Sequence, residues 1–335
     1  MSELSLPTFS IIIPTYNRVD VVARTVRHFM DQDYPADRYE VILVDNSTDD
    51  TPRAVQALTA EAACAIRVIR TPVRLPAIKR NVGLVEARFE YAMFFNDDVW
   101  GEPNLLREHA RTHAAHAEPV AVLGLVEQSP EMPNNPFLEA WEPFAYFRIA
   151  DRVDQDVPYQ YFWSMNLSLP RREMLERNLM FHEDWAEIGH EDVELGYRWT
   201  TAGREIIYNP RARGWHYHPM TLERGCVHVE SIGRGLRDLA NLVPDPTLLE
   251  RYGVFSWDNS PRGIGRGLVR QALFNSVTVP HVRRWLEQKT ENSALTRWLY
   301  WKVLLLYLNR GYREAAQRRP QPLVTRPPVA QRLGA

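Results

Sequence analysis

Four short runs of branched and aromatic apolar residues punctuate the first hundred positions: "FSIIIP", "YEVILVD", "IRVIR" and "YAMFFND". Their nearly continuous apolar character marks strands covered on both faces rather than strands with one wet side. Between them lie amphipathic stretches. "RVDVVARTVRHFM" places Val21, Val22, Val26, Phe29 and Met30 on one helical face. "STDDTPRAVQALTAEAA" offers capping residues and Pro52 near its first turn, and "LPAIKRNVGLVEA" opens near Pro76. Strand–helix alternation of this kind requires right-handed crossovers and a largely parallel sheet with helices on both faces. Ligands of such sheets gather at the carboxyl ends of the strands. Asp45, the Asp97–Asp98 pair and the segment Pro14 to Arg18 all fall at that edge.

Two adjacent carboxylates ending a dry strand need explanation, because like charges repel and burying them is costly. Either the stretch opens into water or a cation sits there. Mg2+ or Mn2+ would bind carboxylate oxygens and substrate phosphates together. The plainer alternative is a turn or helix cap, where Asp is common.

Further along, "NLLREHARTHAAHA" reads as a helix and "PVAVLGLV" as a strand. Asn134 to Asp156 lacks a clear period and reads as an irregular loop. "YQYFWSMNLSLP" resumes strand character, "RREMLERN" is a short helix, and "EDVELGYRWTTAG" is an amphipathic helix closed by Gly203. "EIIYNP" and "RGWHYH" are read as two strands. His216 and His218 lie two apart, hence on one face. Beyond Thr221 the chain becomes helical and rich in Arg, Leu and Trp, and ends in a Pro/Arg-rich tail of low structural propensity. "RGIGRG", Arg262 to Gly267, follows no strand and reads as a loop or helix start, not a phosphate site.

With 335 residues the chain exceeds one small core. The expected division is 1–220, 221–318 and a tail, 319–335. A net charge of −2 marks no nucleic-acid binder. Two cysteines, Cys64 and Cys226, form neither a disulfide framework nor a zinc pair. A reducing cytosol is the simplest setting. The N-terminus has no basic, then apolar, leader pattern. "WLYWKVLLLYL", Trp298 to Leu308, is interrupted by Lys302 and falls short of the roughly 20 residues a spanning helix needs. It is expected to pack on the rest of the chain or on a twin subunit, with peripheral contact at the inner membrane face as the alternative.

Six motifs in order, "SIIIPTYNR", "VILVDNSTDDT", "IKRNVGL", "FFNDDVW", "MNLSLPRR" and "GHEDVELGYRW", resemble the family-2 inverting glycosyltransferases. The resemblance spans roughly Phe9 to Pro219. It implies an α/β GT-A fold, a Rossmann-like mixed sheet flanked by helices, with a C-terminal helical region added. It implies a nucleotide-sugar donor, a UDP-sugar, and a carbohydrate or lipid-linked hydroxyl acceptor in glycan or polysaccharide assembly. Pro14, Thr15, Tyr16 and Asn17 would line the base pocket, and Asp45 would bind nucleobase or ribose. Arg80, with Lys79 as its alternative, would meet the diphosphate. Asp97 would border the donor, and Asp98 would ligate Mn2+ or Mg2+. His216, in preference to His218, would complete the metal site. Asn96 departs from the family's more frequent Asp. Asp192 would be the base that deprotonates the acceptor, and Glu191 would orient hydroxyls. Trp163, Met165 and Asn166 would border sugar and acceptor, and Trp185 would be a further sugar platform, with core packing the equal alternative for both tryptophans. A non-catalytic glycan or nucleotide-sugar binder on the same fold is the alternative, with Asn96 its one support. A nucleotidyltransferase or dinucleotide oxidoreductase would need a glycine-rich loop after the first strand, which "PTYNR" lacks.

Overall fold

The structure is a computed structural model that describes residues 6–133, 135–145, 149, 153–184, 189–254, 273–275 and 277–317. Trp185, "RGIGRG" and the tail 319–335 lie outside the described residues.

The four apolar runs form strands β1 (Phe9–Thr15), β2 (Tyr39–Asp45), β3 (Ala65–Arg70) and β4 (Tyr91–Phe95). They pair in parallel in the order β3-β2-β1-β4. Helices α1 (Val19–Met30), α2 (Thr51–Leu58) and α3 (Pro76–Glu86) make the crossovers. Pleating sorts the side chains by parity. Ile11, Ile13, Val41, Leu43, Met93 and Phe95 face Val22, Val26 and Phe29 of α1. Ile12, Ile42, Val44 and Phe94 form the opposite core with Leu84 of α3.

Past β4 the sheet becomes mixed, as the GT-A expectation requires. Strand β5 (Val99–Gly101) and helix α4 (Leu105–Ala114) precede β6 (Ala121–Gln128). Strand β8 (Asn166–Pro170) runs antiparallel to both β4 and β6. Strand β9 (Ile206–His216) runs parallel to β6 and antiparallel to β5.

Three expectations need correction. Asn134 to Asp156 is not wholly irregular: α5 (Pro136–Ala145) forms there, and the short β7 (Gln155–Asp156) pairs with β9. Pro136 is pre-set for a first helical position, and the Asn135 side chain accepts the Phe137 amide at 2.9 Å. Strand character returns only at Asn166, since Tyr159–Tyr161 is a single 3-10 turn after Pro158. "EIIYNP" and "RGWHYH" are one strand, and the register shift lies between Gly124 and Leu125 of its partner. The cause sits beside it. Asn166 is fully buried, donates to the carbonyls of Leu125 and Ala212, and lies against His109 Nε2 at 2.9 Å. A Cβ at position 124 would lie 2.1 Å from its amide nitrogen. Asn166 thus pins the sheet and has no room to border a sugar.

Helices α6 (Arg171–Glu176) and α7 (Glu191–Thr201) cover one sheet face, with Leu195 and Trp199 of α7 in the Ile12 core. A third core joins α5 to α8 (Leu222–Leu242), α9 (Leu248–Arg251), the helix Thr278–Glu287 and the last helix, Ala294–Gln317. The last helix crosses α8 at backbone contact. A Cβ on Gly233 would lie 2.0 Å from the Leu308 carbonyl oxygen, and one on Gly311 would lie 2.0 Å from that of Glu230. The helix around "WLYWKVLLLYL" therefore packs on the chain along one side. No helix among the described residues is long and apolar enough to cross a membrane.

Candidate active site

The carboxyl edge of the parallel strands is tied together before any ligand is considered. Asn17, in the left-handed region at φ 50°, accepts the Thr48 amide at 2.9 Å and donates its own amide to Ser47 Oγ at 2.7 Å. Asp45 is fully buried, accepts the Ser47 amide at 2.8 Å, and is also held by the Ser47 hydroxyl and the Arg70 guanidinium. Lys79 Nζ donates to the Thr15 carbonyl at 2.6 Å and to Asn46 Oδ1 at 2.5 Å. Burial pulls the Lys79 ammonium down to about 8, against the raising effect of Asp45 and Asp97. Pro14 is half-buried, Thr15 is buried, and Tyr16 is exposed.

The paired carboxylates occupy the turn between β4 and β5 and part company there. Asp97 accepts the Thr15 hydroxyl at 2.6 Å. Burial and the neighbouring Asp98 charge push its carboxyl up to about 6, against Arg18, Thr15 and Lys79. Asp98 turns the other way, accepting from Arg18 Nη2 at 2.7 Å and lying 2.8 Å from His218 Nδ1. Its second oxygen lies 3.2 Å from His216 Nε2. Burial alone would raise the Asp98 carboxyl, but the two imidazoles overcome it and hold the group well below the usual carboxylate range. Strand β9 ends at His216, yet the two imidazoles stay together, their rings stacked 5.3 Å apart.

This cluster fits a cation. One ligand atom each from Asp98, His216 and His218 lie within 4.8 Å of one another. Asp98 Oδ1 is buried and has no hydrogen-bond partner among the described residues, although His216 Nε2 stands beside it. A carboxylate with imidazoles suits Mn2+ better than the oxygen-seeking Mg2+. The geometry assigns neither histidine precedence, so the preference for His216 is widened to the pair.

A second acidic centre stands at the start of α7. Gly189 and His190 adopt positive φ values of 114° and 70°, which turn the chain tightly into the helix. Glu191 Oε2 accepts the Gly189 amide at 2.9 Å, and Oε1 accepts from Arg80 Nη1 at 2.8 Å. Arg80 and Glu191 are both buried. Arg80 Nη2 also reaches Asn96 Oδ1 at 3.4 Å, so α3, the β4 end and α7 meet at one guanidinium. Its Nε is buried without a hydrogen-bond partner among the described residues. Asp192 Oδ2 accepts both the amide and the hydroxyl of Ser164 at 3.1 Å, and Oδ1 accepts the Val193 amide at 2.9 Å. Burial and the adjacent Glu191 push the Asp192 carboxyl up to about 6, with Arg80 opposing.

Both centres open into one cavity of about 990 Å³. Of the residues singled out in the sequence, Arg80, Asn96, Asp98, Trp163, Met165, Glu191, Asp192, His216 and His218 line it. Pro14, Thr15, Tyr16, Asn17, Asp45 and Asp97 do not; they sit along the adjoining ends of β1, β2 and β4. Arg18, Ser164 and Tyr252 are among the residues around the two centres to which the sequence reading gave no role. Arg18 lies inside "PTYNR" but carried no assigned partner. Ser164 orients Asp192 from a segment of weak pattern. Tyr252 lies in the C-terminal third, where no motif points to it. Burial and the Asp192 charge raise its phenol well above the ordinary value.

The mixed sheet flanked by helices has the GT-A architecture, and solved structures agree on the fold. The chain superposes on a mannosyltransferase from Pyrobaculum calidifontis, solved with GDP-Man and Mn2+, at TM-score 0.61 and 19% identity, covering 95% of this chain and 89% of that one. It also superposes on S. aureus TarS 1-349 in complex with UDP-GlcNAc, at TM-score 0.55 and 16% identity, covering 92% of each. The model of Glycosyl transferase family 2 matches residues 10–168. Among curated relatives, validoxylamine A glucosyltransferase of Streptomyces hygroscopicus subsp. jinggangensis is 28% identical over 217 residues, 58% of this chain and 51% of the relative. Chondroitin synthase of Escherichia coli is 24% identical over 250 residues, 65% of this chain and 36% of the relative. The chain thus spans about half the length, or less, of these two relatives.

Proposed function

We propose that the chain is a metal-dependent, inverting glycosyltransferase that moves a sugar from a nucleotide-sugar donor, a UDP-sugar, to a hydroxyl acceptor. One observation carries this reading: a carboxylate–histidine cluster and a raised, precisely held carboxyl share a single cavity. Asp98, His216 and His218 hold the cation, Mn2+ in preference to Mg2+. When bound, it supplies Lewis-acid stabilisation of the leaving diphosphate. Asp192 takes the acceptor proton as the acceptor oxygen attacks the anomeric carbon and the bond to diphosphate breaks. A carboxyl raised to about 6 is a better base near neutral pH than an ordinary Asp. Ser164 fixes the direction from which Asp192 approaches. Arg80 offsets the charge of Glu191 on the cavity wall, where it would meet the diphosphate. The base and ribose lie along Pro14 to Asn17 and Asp45, outside the cavity that takes the sugar and acceptor.

The test is thermal unfolding with UDP, GDP, dTDP and CMP, each with and without Mn2+, for the wild type and Asp98→Ala. A ligand that binds only the folded state raises the midpoint by mass action. The expected result is a rise for one nucleotide that requires Mn2+ and disappears in Asp98→Ala. A folded protein that responds to no nucleotide refutes the donor reading.

A further inference from the structure

Because β9 ends at His216, its ladder alone does not explain why the His218 ring lies beside that of His216. Two amides carry the pairing a short way further. The Ser129 amide donates to the His216 carbonyl at 2.9 Å, and the Tyr217 amide donates to the Asp98 carbonyl at 2.8 Å. Pro219 follows and, having no amide hydrogen, cannot extend the ladder.

The residue between the histidines supplies a further hold. Successive side chains of an extended chain point to opposite sides, so a ring fixed at Tyr217 sends His216 and His218 to the other side together. The Tyr217 ring stacks on Trp100, with centroids 4.8 Å apart and planes 18° apart. Trp100 pairs with Trp215 across β5 and β9, which makes Tyr217 its diagonal neighbour. Trp100 is buried and is also gripped from α1. The Arg24 guanidinium carbon lies 3.6 Å from its ring centre, and the His28 ring stacks on it at 5.7 Å. Arg24 is held in turn by Glu131, its Nη1 donating to Oε2 at 2.8 Å. The segment after β6 thus reaches the histidines twice, through the Ser129 amide and through Glu131.

Core packing does not account for this stack. Neither Trp100 nor Tyr217 belongs to the three apolar cores described above, and Tyr217 is half-buried. The Trp100 indole N–H is buried with no hydrogen-bond partner among the described residues. Leucine or phenylalanine would fill space there without burying an unpaired donor. What the position uses is the wide aromatic face. Asp98 stands two residues before Trp100, and His216 and His218 flank Tyr217, so all three candidate ligands lie within two residues of the stack. We infer that Trp100 and Tyr217 are positioning residues for the cation: stacked on each other and backed by Arg24, they hold His216 and His218 on the side of the chain that faces the Asp98 carboxylate. Groups behind a metal's ligands fix the direction in which those ligands point, and losing one lowers metal affinity roughly 10- to 100-fold. This role rests on the metal reading proposed above.

Mn2+ binding to the full chain is followed by titration calorimetry. Tyr217→Ala and Trp100→Leu should each weaken it about tenfold or more, although neither removes a ligand or a charge. Tyr217→Phe should bind within about twofold of wild type, because it keeps the ring and loses only the hydroxyl. With Co2+ in place of Mn2+, the visible absorption of the bound ion should shift in Tyr217→Ala and match wild type in Tyr217→Phe. Gly311→Ala is destabilising but lies outside the cavity lining, and it should leave Mn2+ affinity unchanged. Wild-type affinity in both Tyr217→Ala and Trp100→Leu overturns the positioning role and leaves the metal reading standing. Equal weakening in Gly311→Ala does the same, since it would make the effect one of general stability. Tyr217→Phe as weak as Tyr217→Ala would assign the effect to the hydroxyl and overturn the stack. Wild-type protein that takes up no Mn2+ overturns the metal reading and the positioning role together.

Discussion

Asp192→Asn should make the protein more stable at pH 8 while nearly abolishing transfer. The Asp192 carboxyl sits at about 6 against an ordinary value of 3.8, because burial and Glu191 both oppose its charge. Its folded value is raised, so the group favours folding below about pH 3.8 and loses that advantage as pH rises through 6. Above pH 6 the charged group costs the fold about 3 kcal/mol. Asparagine removes that cost but cannot accept from both Ser164 and the Val193 amide, which gives back about 1 kcal/mol for a hydrogen bond. The net expectation is a gain of about 2 kcal/mol at pH 8, shrinking to a loss of about 1 kcal/mol at pH 4. Urea unfolding at the two pH values measures it. Transfer should fall about 10²- to 10⁴-fold, as for loss of a general base. A variant equally or less stable than wild type at pH 8 would show that Asp192 is not a strained, desolvated carboxylate, and the argument for its basicity would fail with it.

Three further outcomes follow from the same geometry. Arg80→Met strips a buried carboxylate of its partner and should cost about 3–5 kcal/mol in urea unfolding. Arg80 also lowers the Asp192 carboxyl, so the acid limb of the transfer rate, expected near pH 6, should move to higher pH in that variant. His216→Ala and His218→Ala should each weaken Mn2+ binding followed by titration calorimetry; an unaltered affinity in either removes that histidine from the site. Gly311→Ala places a Cβ 2.0 Å from the Glu230 carbonyl oxygen and should cost about 1–3 kcal/mol, with hydrogen exchange rising first in the last helix; unchanged stability would mean that the helix pair is looser than its backbone contact implies.

Much of the parallel half was legible before any coordinates. β-branched runs and 3.6-residue helical faces are local signals, and strand–helix alternation leaves few topologies. Asp98, Asp192 and the histidine pair were singled out through the family resemblance rather than by local pattern, and the fold brings all four to one cavity. The mixed half was less legible. Helix α5 hid among prolines and aromatics whose reason is tertiary: the Phe137 ring fills the space that a side chain on Gly225 would need, since a Cβ there would sit 2.4 Å from it.

Sequence alone determined which groups could do chemistry and which strands would end beside them. Tertiary structure decided their state. Arg80 reads as an open fork for phosphate, yet folding sets it on Glu191, because a buried carboxylate requires a partner at hydrogen-bond distance. Asp97 and Asp98 are chemically identical neighbours, yet one is pushed up to about 6 and the other held far below the usual range. The difference lies in their surroundings: Arg18 faces both, but Asp97 has a threonine hydroxyl where Asp98 has two imidazoles. Those partners come from β1, α1's leading loop and the end of β9, separated along the chain by up to 120 positions. A carboxylate's charge is set by what surrounds it in space, and only the folded chain brings those groups together.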